Sequence, residues 1–222
     1  RLCPGTDPEF PAPVIYVDKQ NDNPTDGSSW DSSINEVADA LHLTALYNKA
    51  VDAYNVANPA ATPLDKIGAI FVAEATYNPL YKAAEVDEYG EPTGDRDKAF
   101  VLVDGVAVYG GFNPDYSTTD GGDRLMSQRN PAKNETILDG DGVYHVVIAA
   151  KTGKETRLDG FTVTGAYSED VMMSMVNVNG IDVWKDDGTG IAVYNSSSVF
   201  ANLKIIDNHA KFYGGGMVYY GI

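Results

Sequence analysis

Short apolar runs, broken repeatedly by glycine, asparagine and aspartate, fill most of this chain, and one stretch departs from that rhythm. Val14-Ile15-Tyr16-Val17 is β-branched and aromatic and stops at Asp18 and a polar stretch ending in Asp26-Gly27, which predicts a strand entering a turn. From Ser33 the period becomes helical. Ile34, Val37, Ala38 and Leu41 fall on one stripe, Leu46, Ala50, Val51 and Tyr54 continue it, and Pro59 and Pro63 end it. Ser33 with Glu36 has the spacing of a capping box, so a helix or helix pair is expected over roughly 33–57. Beyond it Ile67 to Ala73, Phe100 to Val103, Val106 to Tyr109, Val143 to Ile148 and Phe161 to Val163 are β-favouring runs. Ile191 to Tyr194, Leu203 to Ile206 and Met217 to Tyr220 follow in the same style.

Between these runs the Asp-Gly pair recurs at 26, 104, 120, 139, 141, 159 and 187. Hairpins are the ordinary meaning of strand, Asp-Gly, strand. Here, however, three segments look alike: Leu102-Val-Asp-Gly105, Ile137-Leu-Asp-Gly140 and Arg157-Leu-Asp-Gly160, the last two spaced twenty residues apart. Self-similarity at that period predicts a stack in which each segment buries its apolar face only on its neighbours. Strand alternation would then point Leu158, Phe161 and Val163 inward and Thr162 and Thr164 to water, with Gly160 and Gly165 at corners.

Composition supports strands and turns: of 222 residues 22 are glycine and 14 tyrosine, and 43% are hydrophobic, enough for a core. Charge narrows the partners. With 32 acidic against 16 basic residues the net is -16, which argues against nucleic acid, because phosphate binding needs a positive footprint. The acidity fits a solvated surface and equally a taste for calcium, a hard cation that takes carboxylate and carbonyl oxygens. Cys3 is the one cysteine, so no internal disulfide forms, and no apolar run is long enough for a transmembrane helix. The opening Arg1 to Phe10 reads as a linker or cloning scar, and no signal peptide is legible in it.

Ile15-Tyr-Val-Asp18, Asp26-Gly-Ser-Ser-Trp30, Ile70-Phe-Val-Ala-Glu-Ala-Thr-Tyr-Asn-Pro79, Val106-Ala-Val-Tyr-Gly-Gly-Phe112, Ser127-Gln-Arg129, Thr136-Ile-Leu-Asp-Gly140 and Leu158-Asp-Gly-Phe-Thr-Val-Thr-Gly165 together resemble a known family. It is that of secreted or cell-surface right-handed parallel β-helix repeat proteins of Bacteroidetes, similar in repeat style to chlamydial polymorphic outer-membrane proteins. Ile205 and Asn208, ahead of Gly214-Gly-Gly216, resemble the repeat itself, with Asn208 in a structural role inside a turn. The fold class so implied is all-β, a right-handed parallel β-helix (solenoid) with an N-terminal α-helical cap. Residues 1–13 are then a linker, and 14–222 one domain with its cap at about 31–58, coils from about 67 onward and a stack truncated at its C-terminal end. The resemblance also implies an outer-membrane surface or extracellular setting in a Gram-negative bacterium, and a glycan-binding or adhesin-like role toward polysaccharide or host ligands. The competing implication is a calcium-assisted polysaccharide lyase or glycoside hydrolase of the pectate-lyase-like kind, and a third is a structural stalk.

Candidate chemistry follows. Glycoside cleavage needs paired carboxylates, and Asp139, Asp141 and Asp159, on successive expected coils, are the candidates, although acids at corners are expected in any case. Asp120 with Asp123, Asp139 with Asp141, and Asp186 with Asp187 are the calcium candidates, while none of the three runs is a full EF-hand loop. Trp184, Tyr213, Tyr219 and Tyr220 could lie against sugar faces, or pack into a neighbouring segment. His42, His145 and His209 show no metal spacing.

Overall fold

The computed structural model describes residues 4–85, 95–115, 122–169 and 173–221. In chain order come β1 (Gly5–Asp7), β2 (Phe10–Val17), helix α1 (Val37–Ala57), β3 (Ala69–Ala73), β4 (Ala75–Tyr77), β5 (Phe100–Val101) and β6 (Ala107–Pro114). They are followed by β7 (Gly122–Asp123), β8 (Thr136–Asp139), β9 (Val147–Ala150), β10 (Arg157–Asp159), β11 (Phe161–Thr164), β12 (Met175–Val178) and β13 (Ile181–Trp184). The last four strands are β14 (Ile191–Tyr194), β15 (Val199–Ala201), β16 (Lys204–Ile205) and β17 (Met217–Tyr220).

Three sheets take most of these strands. One runs β1-β2-β3-β6-β10-β15 with β7 against β6, a second β4-β8-β11-β16 and a third β5-β9-β14-β17, and from β3 the chain visits them largely in rotation. Pairing is parallel except for β1 on β2, β7 on β6 and the separate ribbon β12–β13. Strands buried on both faces explain the unbroken apolar runs: Val14 to Val17 and Ala69 to Ala73 are buried at every position. Ile15, Ile70, Val108, Leu158 and Val163 enter a central core, while Tyr16, Trp30, Phe71 and Phe112 pack on the opposite face of the first sheet. There Phe71 stacks on Phe112 with centroids 4.8 Å apart, and Tyr16 meets Trp30 edge-on at 5.0 Å.

The expected all-β class, a right-handed parallel β-helix (solenoid) with an N-terminal α-helical cap, is corrected by this arrangement. The 21-residue α1 contributes Val37, Ala38, Ala40 and Leu41 to the same core as β2, β3, β9 and β11, so the protein is mixed α/β, one helix with several parallel sheets, and not a single all-β solenoid. The helical period was legible, but its stripe is part of the central core rather than an outside cover. The twenty-residue repeat is also corrected. Ile137-Leu-Asp139 lies opposite Thr162-Val-Thr164, whereas Arg157-Leu-Asp159 lies between Ala107-Val-Tyr109 and Val199-Phe-Ala201, so the two similar segments belong to different sheets.

Smaller expectations change too. Residues 5–7 and 10–13, assigned to a linker, are strand residues of the first sheet. No capping box forms at α1: Ser33 Oγ accepts from Asn21 Nδ2 at 2.9 Å, and Glu36 pairs with Lys19 at 3.2 Å. Thr162 is buried rather than solvated, its hydroxyl donating to Glu135. Gly160 and Gly165 do occupy left-handed corners, at φ 85° and 82°. Asn208 sits where its amide donates to Val163 and Ile206 carbonyls while its oxygen accepts from Ala166 N–H.

Candidate functional site

The three candidate catalytic aspartates are not a set. Asp139 ends β8 in the second sheet, and its Oδ1 accepts the Asp141 N–H at 2.9 Å in the turn that follows, where Asp141 takes φ 51°. Asp159 ends β10 in the first sheet and is buried. Its Oδ1 accepts from Arg129 Nη2 at 2.7 Å and Asn202 Nδ2 at 2.8 Å, and its Oδ2 takes two bonds from Arg157, at 2.8 and 2.6 Å. Burial acts to raise the Asp159 pKa, but the hydrogen bonds from Asn202, Arg129 and Arg157 outweigh it and hold the carboxyl below its usual range. A carboxylate fixed in that state by two guanidiniums is a structural anchor and a poor proton donor.

The calcium candidates are engaged in the same sense. Asp123 Oδ2 accepts from Asn134 Nδ2 at 2.9 Å and Lys133 Nζ at 3.1 Å, and these bonds lower its pKa. Asp120 lies outside the described residues. Asp186 Oδ2 receives the Met173 N–H at 2.8 Å, and Asp187 receives the Tyr213 N–H at 3.1 Å and the Tyr220 hydroxyl at 2.7 Å. These N–H and O–H bonds compete with any hard cation for the same carboxylates. Among the described residues no group of three or more His, Cys, Asp or Glu could hold a metal.

Of the aromatic candidates the structure unites three. Tyr220 packs on Tyr194 at 4.9 Å, the Tyr194 hydroxyl accepts the Trp184 N–H at 3.2 Å, and Asp187 ties Tyr213 and Tyr220 together. The bond to Asp187, then burial, pushes the Tyr220 phenol up to about 12. Tyr219 does not join them: it alternates to the other side of β17 and is exposed. This cluster tethers the segment after Ala210 to the turn at Asp187.

An open groove of about 610 Å³ lies elsewhere, beside β11 and β16. One wall carries Asn130, Lys133 and Glu135, the other Asn202 and Lys204, with Pro131 and Leu203 as apolar patches. Parallel register builds it: Phe161 lies opposite Thr136, and Thr162 opposite Lys204. Glu135 Oε1 accepts from Lys204 Nζ at 2.9 Å and Thr162 Oγ1 at 2.8 Å, which hold its carboxyl below the usual range. Beneath the groove the Asp159 anchor fixes Asn202 and, through Arg129, the chain carrying Asn130. Thr136, Phe161, Thr162, Leu203 and Lys204 fall in segments singled out in the sequence, whereas Asn130, Lys133 and Glu135 do not, and no spacing in the sequence could have joined positions 130–135, 160–162 and 202–204.

The class of protein thus defined is a mixed α/β chain of parallel sheets bearing a polar groove over a buried arginine–aspartate anchor. No family model, no curated protein and no solved structure matches the chain. No helix among the described residues is long and apolar enough to cross a membrane.

Proposed function

We propose that this chain is a binding scaffold whose groove takes a glycan, acting extracellularly or at a cell surface in an adhesin-like manner. The observation that carries the reading is the groove's lining. Within about 610 Å³ it offers ammonium donors at Lys133 and Lys204, a carboxylate at Glu135, amides at Asn130 and Asn202, and apolar patches at Pro131 and Leu203. A sugar ring needs that mixture, since each hydroxyl both donates and accepts while the C–H faces want an apolar surface. The lining stands on hydrogen-bonded strands and on the Asp159 anchor, so little ordering remains to be done when a ligand binds. The extracellular setting rests on the resemblance described for the sequence. The lyase alternative has no comparable support among the described residues, because Asp139 and Asp159 occupy different sheets and Asp159 is held ionised by two arginines.

A glycan array followed by calorimetry on the retained sugars tests the reading. Binding that weakens roughly tenfold in Glu135→Gln and in Lys204→Ala, each losing one charged hydrogen bond, is the expected outcome. Retention of no glycan, or affinity indifferent to both substitutions, would overturn it.

A further inference from the structure

His145 stands just ahead of β9, 2% exposed, and takes no part in the groove. Its Nδ1 lies 3.2 Å from the Gly188 carbonyl oxygen. A carbonyl only accepts, so in the neutral ring Nδ1 carries the proton and Nε2 is a bare lone pair. That Nε2 is buried and has no hydrogen-bond partner among the described residues. Charged groups close in from every side. Arg96, Asp97 and Lys98 come from the segment ahead of β5, Lys185 follows β13, Asp187 lies in the next turn, and Tyr144 adjoins the ring along the chain. Lys185 pairs with Asp97 at 2.6 Å, and the Arg96 guanidinium lies 4.4 Å from the centre of the Tyr144 ring. The Gly188 and Trp184 backbones and Asp187 favour a second proton on the imidazole, but burial, the largest influence, opposes it together with the Lys185 charge.

The carbonyl that His145 holds belongs to a turn that ties down two outer pieces. Asp186 accepts the Met173 N–H at 2.8 Å, ahead of β12, and Asp187 holds Tyr213 and Tyr220. The ribbon β12–β13 pairs with no other sheet. It lies on β9 and β14 through Val178 and Val183, both fully buried in one cluster with Ile148, Ala150 and Ala192, and Asn179 Nδ2 donates to the Ala150 carbonyl at 3.1 Å. β9 itself is paired on both edges, by β5 and β14, and is buried at every position. Failure of the link between His145 and Gly188 therefore moves the turn and the ribbon before it moves β9.

We propose that His145 is a proton-operated latch, in which protonation at Nε2 frees the 185–190 turn, lifts the ribbon β12–β13 and uncovers the apolar outer face of β9 and β14. The proton adds a positive charge and an N–H donor at a buried atom that has no partner, beside an ammonium group that already occupies Asp97. Hydrating the imidazolium requires the turn to swing away. The sign follows from linkage: the enclosed ring binds its proton only at about pH 4 and the freed ring at about 6.5, so the latch is shut at neutral pH and loosens as pH falls below 6.5. The device is independent of the groove and of what the groove binds.

Hydrogen exchange of the 222-residue chain, followed by mass spectrometry at pH 7 and pH 5 and corrected for intrinsic rates, tests it. Amides of 174–190 are expected to exchange faster than those of Val14–Val17 and Ala69–Ala73 at both pH values, and to speed up roughly twentyfold at pH 5, the ratio that one proton bound near 6.5 in the open form and near 4 in the closed form supplies. His145→Asn, whose amide can repeat the donation to Gly188 but takes up no proton, should fold and lose the acceleration. Three results overturn the latch: ribbon amides indifferent to pH in the wild type, ribbon amides exchanging only in step with Val14–Val17, or the full acceleration persisting in His145→Asn. The first two are read on the wild-type chain alone, so they decide the matter even where the variant does not fold.

Discussion

Arg129 grips Asp159 twice, its Nη2 lying 2.7 Å from the carboxylate Oδ1 and 2.6 Å from the backbone carbonyl of the same residue. Its Nε donates to the Gly110 carbonyl, and its guanidinium lies 5.3 Å from the centre of the Tyr109 ring. One side chain from the segment after β7 thereby joins β6 to β10 at the edge of the groove. The cost of burying the charges is offset by the number of bonds: Asp159 accepts four through its two oxygens.

Removing Asp159 strips Arg129 and Arg157 of their shared carboxylate, and removing Arg129 leaves the buried Asp159 with one of its two cations. Arg129→Ala and Asp159→Ala should each lower unfolding free energy by about 3–5 kcal/mol in urea melts. Arg129→Lys keeps the charge but cannot make the forked contact, and should fall between wild type and Arg129→Ala. The Asp159 pKa is held below that of the unfolded chain, so its stabilisation is complete above the ordinary carboxylate pKa and is lost as pH falls through the folded value. Equal stability of Arg129→Ala and wild type at neutral pH would refute the anchor.

Gly160 makes that anchor sterically conditional. It takes φ 85°, and an added Cβ would be driven into the Arg129 guanidinium with the Gly110 carbonyl 2.9 Å away. Gly160→Ala should therefore cost more than the roughly 1 kcal/mol of an ordinary left-handed substitution. In the Arg129→Ala background the cost should shrink toward that figure, and a double-mutant cycle measures the difference.

Acid sensitivity should appear first at His145. Burial, reinforced by the nearby Lys185 charge and resisted by a hydrogen bond with the Gly188 carbonyl, pushes its pKa down to about 4 from an ordinary 6.5. Between those values the unfolded chain binds a proton that the folded chain refuses, so stability falls as pH drops from 6.5 to 4. The loss is on the order of 3 kcal/mol across the window, from the energy of one pKa unit. Urea melts at pH 7 and pH 4.5 should show it in the wild type and a much smaller change in His145→Gln.

Much of the strand set was legible because strands buried on both faces announce themselves: Val14 to Val17 and Ile191 to Tyr194 are apolar at every position. Register was not. Ile137-Leu-Asp-Gly140 and Arg157-Leu-Asp-Gly160 look alike, yet Leu138 faces Val163 and Leu158 faces Val108, because both end in the same turn chemistry while lying in different sheets. The groove depends on that register, so its residues were invisible from spacing. Tyr220 and Asp187, 33 positions apart, were each singled out, but nothing in either residue's neighbourhood foretold that one holds the other. Fold class went astray at the helix, where periodicity reveals an apolar stripe without saying how deeply it is buried.

That depth can be measured. Leu41 is 3% exposed and belongs to the same cluster as Ile70, Phe100 and Val147, whereas Val56 in the last turn of α1 is 81% exposed. Leu41→Ala should cost about 2–5 kcal/mol through lost burial and a residual cavity. Val56→Ala should stay within about 0.5 kcal/mol. The loss in Leu41→Ala should appear in one cooperative transition followed both by helix signal and by the near-ultraviolet signal of the aromatic face around Trp30 and Phe71, since the helix and the sheets share a core. Separate transitions, with the helix melting first and the aromatic signal untouched, would make α1 a detachable cover and undo the mixed α/β assignment.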